Sequence, residues 1–198
     1  GVGKAVGILT GGGDCPGLNA VIRAATHRCV DRGDEVVAVR EGWRGLIEGK
    51  FHTLGLREVS GILPRGGTIL GTSRTNPFKT DSVDRVLTTF REASLDALVA
   101  IGGEDTLGVA ARLYREEDFP VVGVPSTIDN DVHCTDYAVG FATAVSVVTE
   151  ALDRLQPTAA SHRRVMILET MGRDTGHIAL NGGIAGGADI ILLPELPY

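Results

Sequence analysis

The stretch Gly11-Gly12-Gly13-Asp14-Cys15-Pro16-Gly17-Leu18-Asn19 constrains this chain more than any other part of it. It stands between an unbroken apolar run, Ala5 to Leu9, and a segment patterned as a helix. Such a run reads as a strand buried on both faces. Pro16 suits the first turn of a helix running to about Val30, and Gly33 lies just past its end. Strand, glycine loop and helix make the opening of an α/β unit. Bare backbone ahead of a helix offers N–H groups and the positive end of the dipole to an anion.

The same alternation continues. Candidate strands are Glu35–Arg40, Ala97–Ile101, Val121–Val124, Arg164–Leu168 and Ile190–Leu193. Val83, Val86, Leu87 and Phe90 fall on one helical stripe. Ala144, Val148, Leu152 and Leu155 form another, on a segment ending before Pro157. Helices between apolar strands predict an α/β, three-layer fold with a mostly parallel sheet and helices on both faces. Ligands in such folds gather at the carboxyl ends of the strands. The glycine loop, Gly102-Gly103-Glu104-Asp105-Thr106 and the turn at Thr127–Asp131 all follow candidate strands, so they are expected at one edge of the sheet.

Composition narrows the function. The 198 residues carry a net charge of −6 with no basic cluster, which argues against nucleic acid as the main partner. No apolar run nears the roughly 20 residues of a membrane span. Cys15, Cys29 and Cys134 are odd in number and lack CxxC spacing, pointing to a reducing cytoplasm rather than a disulfide frame or zinc site.

The loop is neither of the common phosphate binders. Gly12 and Gly17 have Walker A spacing, but Leu18-Asn19 replace its Lys-Ser/Thr, and no GxGxxG is present there. Pro125-Ser126-Thr127-Ile128-Asp129-Asn130-Asp131 adds two carboxylates and two small hydroxyls on a turn. That set suits metal-assisted chemistry on phosphates.

Six blocks in order resemble the 6-phosphofructokinase family. They are Gly11–Asn19, Arg65-Gly66-Gly67-Thr68-Ile69-Leu70-Gly71-Thr72-Ser73-Arg74, Gly102–Thr106, Pro125–Asp131, Ser161-His162-Arg163-Arg164 and Met171-Gly172-Arg173. Ala185–Asp189 with Pro194-Glu195 fits the same pattern. The likeness is greatest to pyrophosphate-dependent members of actinobacterial type, and to their N-terminal part. It implies a donor-phosphate domain over 1–137 and the start of a sugar-phosphate domain over 138–198. The implied reaction is phosphoryl transfer from pyrophosphate to the 1-hydroxyl of fructose 6-phosphate, in a cytoplasmic homodimer or homotetramer.

The resemblance also implies roles. Asp129 matches the family's catalytic base, with Thr127 and Asp131 supporting the transferred phosphate, its metal and the base. By chemistry alone Asp129 could instead stabilise its loop as an Asx turn. Gly12, Gly13, Arg74, Glu104, Asp105, Thr106 and Ser126 match the donor side, with Glu104 the Mg²⁺-associated carboxylate. Thr127, Asp129, Arg164, Met171, Gly172 and Arg173 match the fructose 6-phosphate side, Arg164 reaching a neighbouring subunit. Trp43 stands where relatives place an aromatic beside the donor pocket.

Some positions depart from the family. Asp105 replaces the glycine of ATP users and matches the acid of pyrophosphate users; a carboxylate there crowds and repels an α-phosphate. Ser126 is neither the lysine of pyrophosphate users nor the glycine of ATP users. Ala142 replaces a frequent Asp, and Asp174-Thr175 also differ. The alternatives are an ATP-dependent 6-phosphofructokinase and a catalytically weak phosphosugar-binding or regulatory subunit.

Overall fold

The computed structural model describes residues 3–197; Gly1, Val2 and Tyr198 lie outside the described residues. The chain divides into two compact units, Gly1–Ser126 and Thr127–Tyr198.

The first unit is organised by β1 (Ala5–Thr10), which pairs in parallel with β2 (Glu35–Val39) on one side and β4 (Ala97–Gly102) on the other. β5 (Val121–Thr127) continues the parallel set beyond β4, and β3 (Phe51–Thr53) closes the far edge antiparallel to β2. The order is therefore β3-β2-β1-β4-β5. β1 leads to β2 through α1 (Leu18–Asp31), and β4 leads away to β5 through α4 (Glu104–Glu117). Right-handed crossovers running in opposite directions put their helices on opposite faces.

Side-chain alternation agrees. Leu9, Val39, Leu98 and Ala100 join one buried cluster with α4 and with residues of α2 (Trp43–Glu48) and α3 (Val83–Glu92). Their neighbours Ile8, Ala38 and Ile101 point to the opposite face and are fully buried there, the face that carries α1. The expected three-layer α/β arrangement with a mostly parallel sheet is thus present. Trp43 belongs to the core cluster, 2% exposed, and its indole Nε1 has no hydrogen-bond partner among the described residues. The α3 stripe also behaves as expected, with Val86 and Phe90 buried.

Two details of the first unit differ from expectation. α1 starts at Leu18, because Gly17 takes a left-handed φ of 93° and leaves Pro16 in the turn before the helix. β5 is not buried on both faces: Val122 is 64% exposed.

The second unit contains β6 (Val139–Gly140), α5 (Phe141–His162) and α6 (His177–Ala185). Val148 and Leu152 of the expected stripe pack on α6, where a methyl at Gly182 or Gly186 would lie 2.5 or 2.6 Å from them. α5 does not end before Pro157 but continues to His162. Ser161 Oγ donates to the Pro157 carbonyl at 2.8 Å, and the helix stops only where Arg163 turns left-handed. Arg164–Leu168 and Ile190–Leu193 are not strands. A strand needs a hydrogen-bonded neighbour, and none of the described residues pairs with either segment; Val165, Ile167 and Ile190 are 92, 90 and 79% exposed. No helix among the described residues is long and apolar enough to cross a membrane.

The ends of β1 and β4 meet over one side chain of α4. A Cβ on Gly11 would lie 2.6 Å from Thr106 Oγ1, and one on Gly102 would lie 2.6 Å from Thr106 Cβ and 2.8 Å from the Gly11 carbonyl. Both alanine variants should therefore lose about 1–3 kcal/mol of stability by overpacking. The two should differ in rescue. Thr106→Ala removes the atoms that oppose Gly11→Ala, so a urea-melt double-mutant cycle should recover most of that loss. It leaves Cβ and the Gly11 carbonyl in place, so Gly102→Ala should stay destabilised.

Candidate active site

In the first unit the glycine loop continues β1 and is held by backbone. Gly11 N–H donates to the Ile101 carbonyl and Gly12 N–H to the Ser73 carbonyl, each at 3.0 Å. The N–H groups of Gly13 and Asp14 make no hydrogen bond among the described residues, and both residues are exposed. The loop thus presents bare donors near the start of α1, as its sequence implies.

The segment 65–74 is fastened to this loop by side chains. Buried Asn19 accepts from Ile69 N–H at 2.8 Å and donates to the Arg65 carbonyl at 3.0 Å. Thr10 Oγ1 donates to the Gly71 carbonyl at 2.8 Å and also meets Thr68 Oγ1 at 2.8 Å. Thr72 Oγ1 donates to the Gly12 carbonyl, and Ser73 Oγ to that of Glu41 at 2.6 Å. Arg74, at the end of the segment, is exposed and makes no hydrogen bond or ion pair among the described residues. Its guanidinium is free to meet an anion.

Glu104 and Asp105 form the first turn of α4, after Gly103. Both are exposed and neither carboxylate has a partner among the described residues. They complement the helix dipole, and they also place negative charge where an incoming anion would use that dipole. Thr106, by contrast, is only 3% exposed; its side chain packs under Gly11 and Gly102.

Ser126 is 2% exposed, with its Oγ 2.9 Å from Cys15 Sγ. Burial pushes the Cys15 thiol up, only partly offset by the Ser126 hydrogen bond. Cys15 is accordingly a packed thiol rather than a reactive one. A contact between positions 15 and 126 has no short-range signal in sequence.

In the second unit the turn after β5 separates structure from chemistry. Asn130, with a left-handed φ of 54°, accepts from Ala138 N–H at 2.7 Å and donates to the Asp136 carbonyl at 3.0 Å. Asn130 therefore does the Asx work that Asp129 could have done. Asp129 N–H donates to Thr127 Oγ1 at 3.2 Å, and the Asp129 carboxylate has no hydrogen bond among the described residues. Desolvation, then the charge of Asp131, pushes its pKa above the ordinary carboxylate value, and Arg173 partly opposes them. A half-buried, unengaged carboxylate with a raised pKa is suited to take a proton.

The loop 171–175 reaches the same turn. Thr175 Oγ1 donates to the Gly172 carbonyl at 3.1 Å and lies 3.3 Å from the Asp129 carbonyl. Gly172 has a φ of 145°, and a Cβ there would lie 2.3 Å from the Thr175 carbonyl, so only glycine fits. Met171 and Arg173 flank it, both exposed. Arg164 is exposed too, and its side chain makes no bond among the described residues. The structure thus brings Thr127, Asp129, Asp131, Gly172 and Arg173 to one loop pair. It leaves Arg164 apart from that hydrogen-bonded set. Thr175 is the tie that its departure from the family pattern gave no reason to expect.

Residues 5–198 match a family model described as Phosphofructokinase. A pyrophosphate–fructose 6-phosphate 1-phosphotransferase of Amycolatopsis methanolica is 56% identical over 195 residues, covering 98% of this chain and 57% of the relative. ATP-dependent 6-phosphofructokinase 3 of Streptomyces coelicolor is likewise 56% identical, with the same two coverages. Pichia pastoris phosphofructokinase in the T-state superposes with a TM-score of 0.90 at 28% identity, over 100% of this chain and 22% of its own. The pyrophosphate-dependent phosphofructokinase of Marinobacter aquaeolei gives 0.86 at 25% identity, over 98% and 54%. The chain spans a little over half the length of the curated relatives it matches. With a family model matched from Ala5 onward and relatives above half identity, this chain belongs to the phosphofructokinase family.

Proposed function

We propose that the protein transfers a phosphoryl group from pyrophosphate to the 1-hydroxyl of fructose 6-phosphate. The products are fructose 1,6-bisphosphate and phosphate. The observation that carries this reading is the Asp129 carboxylate, left without a hydrogen bond and held at a raised pKa. In the proposed step Asp129 accepts the hydroxyl proton as the sugar oxygen bonds to phosphorus and the bridging P–O bond breaks. Thr127 Oγ1 already accepts from Asp129 N–H, which leaves its own O–H to donate to a phosphate oxygen. Arg173 supplies positive charge beside the base. Gly12, Gly13 and Arg74 hold the donor; Arg164 and Met171 contact the sugar phosphate, Arg164 across the interface of a homodimer or homotetramer. Donor binding is assigned to 1–137 and the beginning of sugar-phosphate binding to 138–198.

Mg²⁺ fits this assignment. No group of three or more metal-binding side chains occurs among the described residues, but Mg²⁺ in phosphoryl-transfer sites takes one or two carboxylates plus substrate phosphates and water. Glu104, exposed and unpartnered, would hold it. Bound there, the ion neutralises charge on the phosphates.

Asp105 favours pyrophosphate over ATP as donor. Its carboxylate stands free on the first turn of α4, where an α-phosphate would meet like charge. The ATP-dependent form is the second reading, favoured by Ser126, which supplies no cation and is packed against Cys15. A lysine at 126 would bury an ammonium at that contact, so Asp105 gives the cleaner test.

Three outcomes follow for the full-length protein. Asp129→Asn should lower kcat by about 10²-fold or more, with much smaller changes in KM; near-normal kcat would remove Asp129 from the role of base. The acid limb of the pH–kcat/KM profile should report the Asp129 carboxyl. Asp131→Asn removes a charge that raises its pKa and should move that limb to lower pH, whereas Arg173→Ala should move it higher. The ionised form is the one disfavoured by folding, so the stability it costs at neutral pH is regained as pH falls through the folded-state pKa. Finally, Asp105→Gly should raise the ratio of ATP to pyrophosphate kcat/KM; an unchanged ratio sinks the donor assignment.

A further inference from the structure

Beside the first turn of α4, the first unit opens a groove of about 360 Å³, lined in part by Phe78, Glu104, Asp105, Gly108, Arg112 and Arg115. That volume lies near the lower end of small-molecule sites, which run from about 300 to 1,000 Å³. Gly108 leaves the helix surface open there, since a Cβ on it would meet nothing within 4 Å. The aromatic surface of the groove is Phe78, and that surface is already taken. The guanidinium carbon of Arg112 lies 3.7 Å from the centre of the Phe78 ring. The same guanidinium is forked by Glu116, with Nε to Oε1 at 2.9 Å and Nη2 to Oε2 at 3.0 Å. Two-point pairing fixes the guanidinium plane as well as its position.

The two possible donors differ in what lies beyond their phosphates. Pyrophosphate ends there. A nucleotide continues into ribose and a planar base, and bases gain affinity by stacking on aromatic faces. We infer that the Phe78–Arg112–Glu116 stack is a plug that occupies the aromatic face a nucleoside would need, making Arg112 a second determinant of donor choice beside Asp105. The inference rests on the pyrophosphate reading above. It is a different mechanism from Asp105, however: Asp105 repels charge, whereas Arg112 denies a stacking surface. The side chains of Arg112 and Glu116 are each 46% exposed, so the plug is removable and its substitution leaves the core untouched. Exposed cation–π and helix-surface ion pairs are each weak, so opening the face should change nucleotide affinity by about three- to tenfold.

The test measures dissociation constants for ADP and for pyrophosphate, both with Mg²⁺, on the full-length protein. Arg112→Ala should tighten ADP by about three- to tenfold and leave pyrophosphate unchanged. Glu116→Gln frees the guanidinium without removing it, and should give a smaller gain in the same direction. Phe78→Leu in the Arg112→Ala background should erase the gain, because the stacking face is lost. Unchanged ADP binding in Arg112→Ala overturns the plug. Weaker binding overturns it too, because the guanidinium would then be stacking on the base rather than excluding it. Asp105→Gly, measured in parallel, separates the two ideas. A gain there without one at Arg112 discards the plug and keeps the donor reading; a gain at Arg112 alone keeps the plug and discards the charge-repulsion role of Asp105.

Discussion

The approach of Thr106 to Gly11 and Gly102 is the constraint on which the glycine loop and the acidic turn of α4 depend. It brings the start of α4 against the ends of two adjacent strands, with no side chain between backbone and helix. β1 and β4 are also where the sheet's crossovers reverse direction, so the crevice between their carboxyl ends is the place such folds bind ligands. One buried threonine therefore sets the distance between the glycine loop and the acidic first turn of α4. The hydrogen bonds from Asn19, Thr10, Thr72 and Ser73 then fix the 65–74 segment to the same loop. The exposed groups, Gly13, Arg74, Glu104 and Asp105, are presented by a frame fastened through these side chains.

Much of this was legible in the residues. Unbroken apolar runs marked β1, β2 and β4 because each is buried on both faces. The stripe of Val83, Val86, Leu87 and Phe90 marked α3 because a helix with one buried face must repeat at that spacing. The apolar runs at 164–168 and 190–193 misled for the complementary reason. Apolar character gives a segment the ability to be a strand, but the ladder must come from another segment, and none of the described residues supplies it. Pro157 misled differently: a single missing N–H near the end of a long helix was outweighed by the continuing turn. The motifs marked the candidate segments, but not the division of labour within the turn at 127–131. Asp129 and Asn130 are adjacent and chemically alike, and only the coordinates assign the turn to Asn130. Cys15 with Ser126, and Thr175 with the Asp129 turn, are long-range contacts with no periodicity behind them.

The two units also differ in how they treat polar groups. In the first, Asn19, Thr10, Thr72 and Ser73 are spent on fastening loops, while Trp43 Nε1, Arg44 Nε and Thr89 Oγ1 are buried without a hydrogen bond among the described residues. In the second, the Asp129 carboxylate stays half-buried and unengaged. A carboxylate can accept a proton, which an indole or guanidinium N–H cannot. That difference in chemistry is why Asp129 carries the reading of phosphoryl transfer.

Trp43 gives the first unit a property of a different sort. It is the sole tryptophan of the chain, it sits in the core cluster of that unit, and its indole N–H has no partner among the described residues. Intrinsic indole emission from this protein therefore reports a single location. An apolar cage around the buried ring implies blue-shifted light while that core is closed and a red shift when water enters it. Unwinding of α5 or α6 would leave the signal still. An optical melt would then follow the first unit alone, whereas far-ultraviolet dichroism follows the helices of both, and a gap between the two curves would show that the units unfold separately.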